Sequence, residues 1–167
     1  FWCRRGYAAL TFDFCGNWPG REKFTDWGEL TQGNMATPGD KLMAVEPSQR
    51  ESSWYLWARV SRRALTALAA QPEVDRERLG IFGISVGGSL VWPVAATDSR
   101  VKAACAIYGC GYTTYPVDFA EADPQASDPK TKIWRATMEP ESYAPLVRCP
   151  ILFLNSSNDH HGRMDPS

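Results

Sequence analysis

A chain of 167 residues suffices for one domain with a sizeable core and is too short for two. Its 44% apolar and 22% charged content is that of a globular protein and excludes a disordered one. A formal charge of −1, with acidic and basic residues mixed as in Asp75-Arg76-Glu77-Arg78, gives no drive toward nucleic acid or an anionic membrane surface, and no run of about 18 apolar residues is present to span a bilayer.

The chain opens on Phe1 without a signal peptide, and it closes at Ser167 without a terminating element, so truncation at both ends is expected. Tyr7 to Phe14 is the first short apolar run and reads as a strand. Residues 15–52 follow, rich in Gly, Pro, Asp and aromatics. A stretch of that length without periodicity is expected to be a lid or pocket wall. Within it, Trp18 and Trp27 are candidates for stacking on sugar rings, and Arg21 for a polar contact. The plainer alternative is a loop pinned by buried aromatics.

A helix is predicted from Ser53, as N-cap, to about Ala70. Trp54, Trp57, Val60, Ala64, Leu65 and Leu68 recur on one face, Arg59, Arg62 and Arg63 lie largely off it, and Pro72 stops the helix. Leu79 to Ile84 reads as a strand, followed by a second helix from just after Ser85 to near Asp98, with Pro93 expected to kink it. Val101 to Tyr108 is a third strand. Residues 110–148 form another irregular insertion, whose Tyr112, Tyr115, Phe119 and Trp134 carry the same ambiguity as the earlier aromatics. Ile151 to Leu154 is the last strand. Such runs are typical of strands covered on both faces, and the long gaps require crossover connections, so the class is α/β with a mostly parallel sheet flanked by helices.

Cys3, Cys15, Cys105, Cys110 and Cys149 are odd in number and irregular in spacing, which fits neither a disulfide framework nor a zinc site. Buried free thiols are expected, with one structural disulfide as the alternative, and the compartment stays undetermined.

Gly83-Ile84-Ser85-Val86-Gly87, with Gly88 following, matches G-x-S-x-G. This pattern arises by chance often enough to need context, and here a predicted strand precedes it and a predicted helix follows. In that setting the chain turns sharply at Ser85, and small residues at Gly83, Gly87 and Gly88 let the backbones approach. Ser85 is then the candidate nucleophile, and the Val86 N–H, at the start of the helix, is half of an oxyanion hole. An inert serine in a tight turn is the bland alternative.

A serine nucleophile needs a base held by a third group, and the chain order on this fold is serine, acid, histidine. Asp159, just beyond the strand Ile151 to Leu154, is the candidate acid, with a turn-forming role as its alternative. His160 and His161 directly follow Asp159 and are poorly placed to be held by it while reaching a serine. The base is therefore expected beyond Ser167. Asp159, His160, His161 and Asp165 are not expected to converge on a metal ion, and neither metal nor cofactor is expected.

Gly83 to Gly88, Asp98-Ser99-Arg100-Val101-Lys102-Ala103-Ala104 and Tyr108-Gly109-Cys110-Gly111 together resemble the acetyl xylan esterase and dienelactone hydrolase-like branch of the α/β-hydrolases, near the prolyl oligopeptidase catalytic domain. Pro140-Glu141-Ser142-Tyr143-Ala144-Pro145 with Cys149 to Leu154, and Arg5 to Asp13, extend the resemblance over most of the chain. It implies a single partial α/β-hydrolase domain over 1–167, lacking the early strands and the last strand. It also implies a serine hydrolase that cleaves small-molecule or carbohydrate esters through an acyl-enzyme, possible deacetylation of an acetyl-xylan-type substrate included. A prolyl-oligopeptidase-type peptidase and a catalytically silent binding module remain open.

The sequence departs from dienelactone hydrolases proper, which carry cysteine where Ser85 stands. The resemblance places the second oxyanion donor upstream of residue 1 and the histidine after a further strand, so the 167-residue chain alone is expected to be inactive. It also separates the strand Tyr7 to Phe14 from the elbow strand by an earlier one, which predicts unsatisfied strand edges and exposed apolar surface.

Overall fold

The computed structural model describes residues 2–12, 41–109 and 129–156. Strands β1 (Leu79–Ile84), β2 (Val101–Ile107) and β3 (Ile151–Leu154) form one sheet in the order β1-β2-β3, and both pairings are parallel. Helices α1 (Ser53–Ala69) and α2 (Val86–Thr97) precede and follow β1, and α3 (Pro129–Met138) and α4 (Pro140–Tyr143) precede β3.

The register aligns the sheet in rows. Ile81, Ala104 and Ile151 stand side by side, as do Gly83, Ala106 and Phe153. These rows face the main core, in which Val91, Val94 and Ala95 of α2 and Leu65 of α1 pack on Val101, Ala104 and Ala106. Small residues on β2 let α2 lie close, while the bulk comes from the helix. Side chains alternate between faces along a strand, so Phe82, Cys105 and Leu152 form a row on the opposite face, and Ile84, Ile107 and Leu154 another. Phe82, Ile84, Leu152 and Leu154 are exposed there, as the expectation of uncovered apolar surface requires.

The predicted first strand is not found. Residues 7–12 are exposed and unpaired with the sheet, and residues 13 and 14 lie outside the described residues. Hydrophobicity marks a segment that could be a strand, but a strand exists only through a neighbour's hydrogen bonds. Upstream of this segment, the Trp2 ring lies 5.4 Å from that of Phe82 on the sheet and 5.8 Å from that of Tyr7.

Helix α1 begins one residue earlier in its capping than the sequence suggests. Ser52 is the N-cap, its hydroxyl accepting the Tyr55 N–H at 3.2 Å, while Ser53 is the first helical residue and donates its N–H to the Lys41 carbonyl at 2.8 Å. Of the predicted face, Trp54, Trp57 and Leu65 are buried and Val60, Ala64 and Leu68 half-buried, while Arg59, Arg62 and Arg63 are exposed as their spacing predicts. Helix α2 runs unbroken through the buried Pro93, whose carbonyl accepts the Thr97 hydroxyl at 2.6 Å.

The expectation of an irregular insertion over 110–148 fails from residue 129 onward, where α3 and α4 form. Trp134 and Met138, one helical turn apart, bury with Val45, Trp54, Trp57 and Leu90 in a second core cluster. Trp134 is thus a core residue, and the turn spacing Trp134/Met138 was the missed signal. Of the insertion 15–52, residues 41–52 are described, with Val45 buried. Tyr112, Tyr115, Phe119, Trp18, Arg21 and Trp27 lie outside the described residues. Cys3, Cys105 and Cys149 are free thiols, but none is fully buried: Cys3 is exposed, and Cys105 and Cys149 are half-buried; Cys15 and Cys110 are not among the described residues.

Asp98 ties α1 to the turn between α2 and β2. Its carboxylate, 4% exposed, accepts from the Arg100 guanidinium at 2.6 and 2.8 Å, from the Arg100 backbone N–H at 3.2 Å and from Arg62 Nε at 3.4 Å. Arg100 also donates to the Thr66 hydroxyl at 2.9 Å and the Arg62 carbonyl at 3.2 Å. The Arg100 hydrogen bonds hold the Asp98 carboxyl at about 2, against the opposing effect of burial. Among the described residues, no helix is long and apolar enough to cross a membrane.

Candidate active site

Chain direction fixes where the site lies. All three strands are parallel, and Ile84, Ile107 and Leu154 are register partners, so the chain leaves β1, β2 and β3 at one edge of the sheet. In open α/β sheets this carboxyl edge is where ligands are handled.

At the end of β1 a single residue separates strand from helix. Ser85 has φ 57° and ψ −122°, a region that costs an L-residue energy, and it is exposed. Its N–H donates to the Ile107 carbonyl at 2.8 Å, and its carbonyl accepts the Ser89 N–H at 3.0 Å, closing the first turn of α2. The serine is therefore held at both of its backbone groups. Val86 is the first residue of α2, so its N–H is among the first four, which have no acceptor within a helix.

Two of the three elbow glycines are sterically obligatory. A Cβ on Gly83 would strike the Gly87 carbonyl, and one on Gly88 would stand 2.6 Å from the Ile107 oxygen and 2.9 Å from the Gly109 Cα. A Cβ on Gly87 would meet nothing within 4 Å, so its absence there is not a matter of space. Gly109 completes the set, since a Cβ there would collide with the Gly88 backbone. Sequence reading gave Gly109 no role; a glycine directly after the strand paired to the elbow strand was the available signal. Its carbonyl accepts the Trp92 indole N–H at 2.7 Å, tying the end of β2 to α2.

Ser85, Val86, Gly83 and Gly88 thus stand together, and Tyr108 and Asn155 leave the same edge from β2 and β3. Asp159, the candidate acid, lies outside the described residues, as do His160, His161 and Asp165. No group of His, Cys, Asp and Glu among the described residues could hold a metal ion. A shallow groove of about 530 Å³ sits at the opposite edge, lined by Thr97, Ser99, Lys102, Arg148 and Cys149 among others, where β2 and β3 begin. It is remote from the elbow, and the chemistry argued from Ser85 does not involve it.

The model of the dienelactone hydrolase family matches residues 4–166. Among solved structures, an acylaminoacyl peptidase in complex with Z-Gly-Gly-Phe-chloromethyl ketone is similar with a TM-score of 0.53 and 25% identity, over 66% of this chain and 19% of that one. Acetyl xylan esterase 1 from Thermoanaerobacterium sp. JW/SL YS485 gives a TM-score of 0.61 at 16% identity, over 83% of this chain and 48% of that one. The Pyrococcus horikoshii acylaminoacyl peptidase gives 0.55 at 23% identity, over 67% and 20%. The last two likenesses speak for the fold alone. The chain spans between 19% and 48% of the length of these structures. No curated protein matches the sequence.

Proposed function

The chain belongs to the dienelactone hydrolase family and folds as part of an α/β-hydrolase sheet, and from that footing we propose that it is a serine hydrolase cleaving carboxylic esters through an acyl-enzyme. The observation that carries this reading is the backbone at Ser85: a positive φ, in an exposed residue, between the end of strand β1 and the first turn of a helix. Strain of this kind persists where the surroundings over-determine it, and it concentrates at functional positions.

In the proposed reaction the Ser85 hydroxyl adds to the ester carbonyl while a histidine takes its proton. The alcohol leaves with that proton, and water then releases the acid from Ser85. Asp159 orients the histidine. His160 and His161 are disfavoured as the base because each is too near Asp159 in sequence. The Val86 N–H donates to the developing oxyanion, a contact of a kind worth about 3 kcal/mol in comparable hydrolases. A carbohydrate acetyl ester is the finer substrate reading, and it rests on the sequence resemblance to acetyl xylan esterases.

A second reading, a serine peptidase, is supported by the 25% identity to an acylaminoacyl peptidase. Both readings use Ser85 in the same way and differ in the leaving group. A serine-directed fluorophosphonate on the full-length protein tests what they share. Labelling at Ser85, abolished by Ser85→Ala, is expected; labelling at another residue overturns the assignment of Ser85, and no labelling overturns it in favour of a silent hydrolase fold. Turnover of p-nitrophenyl acetate against an acylaminoacyl p-nitroanilide then separates esterase from peptidase.

A further inference from the structure

Among the described residues, two that are not glycine adopt a left-handed backbone: Ser85 at φ 57° and Tyr108 at φ 52°. They are neighbours across the sheet. Ile84 and Ile107 are register partners, and each strained residue is the next one along its chain. Ser85 reaches across to the Ile107 carbonyl, and Tyr108 donates its own N–H to the Leu154 carbonyl at 2.9 Å. Tyrosine is a poor occupant of this region, because its Cβ crowds the following carbonyl.

The strain at Tyr108 is imposed from both sides. The Leu154 carbonyl holds its N–H, and the next residue, Gly109, is pinned by the Trp92 indole and pressed on the Gly88 backbone. The phenol is only partly packed. The residue is 48% exposed, and among the described residues its ring and hydroxyl have neither a hydrogen-bond partner nor a ring contact. A large aromatic is thus kept in a costly backbone conformation, half exposed, one strand away from an exposed serine at the ligand-handling edge. Glycine or asparagine would satisfy the backbone better.

We propose that Tyr108 is a specificity-determining residue, its ring forming the wall of the substrate site beside Ser85 and contacting the apolar acyl part of the ester. The inference rests on Ser85 being the nucleophile and deepens that reading. An aromatic ring supplies contact area with little loss of side-chain freedom, so such a wall discriminates acyl groups by size.

The test uses the full-length protein with Tyr108→Asn and Tyr108→Gly, both of which suit a left-handed backbone. Wild type and variants are compared for kcat and KM on p-nitrophenyl acetate, butyrate and hexanoate, for fluorophosphonate labelling of Ser85, and for Tm. The ratio of kcat/KM for hexanoate over acetate is expected to change at least tenfold, chiefly through KM, while Ser85 remains labelled and Tm rises. A purely structural tyrosine would not couple a gain in Tm to a change in acyl preference. A ratio within twofold of wild type, with Ser85 still labelled, overturns the role of Tyr108 alone. Failure of Ser85 to label in the wild type overturns the nucleophile assignment instead.

Discussion

Gly88 of α2 and Gly109 after β2 meet backbone against backbone, so closely that a side-chain carbon on either would collide with the other's main chain. This contact draws the end of the second strand onto the elbow helix, and the Trp92 indole bond to the Gly109 carbonyl secures it. Ser85 depends on the same junction through its N–H bond to Ile107.

Gly109→Ala should therefore destabilise the protein by about 1–3 kcal/mol, the usual cost of forcing extra volume into a packed site, and should slow labelling of Ser85 by fluorophosphonate. Gly87→Ala is the informative contrast. The space there is open and the position is helical, so alanine should raise stability by up to about 1 kcal/mol. Thermal melts of the two variants check both signs, and equal losses would show that the glycine contacts are misplaced.

Ser85 invites a second comparison. Ser85→Ala and Ser85→Gly both remove the hydroxyl and should each reduce ester hydrolysis by at least about 10³-fold. They should differ in stability, because alanine retains the cost of φ 57° and glycine does not. The glycine variant should be the more stable of the two by about 1 kcal/mol. Denaturant titration measures this difference directly. An alanine variant as stable as the glycine one would mean that position 85 carries no strain.

The elbow was legible in the sequence because its chemistry is local: Gly83 to Gly88 encode a strand end, a turn and a helix start within six positions. The same holds for β1, β2, β3 and the buried face of α1. What could not be read depended on distant partners. Tyr7 to Phe12 has the composition of a strand but no neighbour among the described strands. Helix α3 was hidden by a polar stretch in which only Trp134 and Met138 betray a buried side. Gly109 has meaning only once it is known to touch Gly88, and Tyr108 looks like the last residue of a strand until its backbone is seen to turn over.

Asp98 sets an acid limit on stability. Its carboxyl sits at about 2 in the folded protein, against 3.8 for an unperturbed aspartate, chiefly because Arg100 hydrogen-bonds the charged form. A depressed folded value means that the stabilisation is complete above about pH 4 and is lost as the pH falls toward 2. The shift corresponds to about 2 kcal/mol. Asp98→Asn should lower stability at pH 7 by that order and flatten the decline of stability between pH 4 and pH 2. If the variant's decline over that interval matches that of wild type, the Asp98–Arg100 pair is not what sets it.

The uncovered sheet face makes a further prediction for the 167-residue chain. Phe82, Cys105 and Leu152 form one continuous row across three strands, and Ile84, Ile107 and Leu154 form the next. Phe82 is 52% exposed and Leu152 56%. Apolar surface that is contiguous, flat and flanked by strand edges favours association, whereas single exposed apolar residues do not. The chain is expected to bind an apolar-surface dye and to self-associate as its concentration rises. Phe82→Lys with Leu152→Lys places two charges in one row while leaving the opposite, α2-facing side of the sheet untouched. The double variant should therefore lose most of the dye signal and sediment as a smaller species, with its helical circular dichroism retained. Wild-type chain that stays monomeric and binds no dye would mean that these rows are covered in solution.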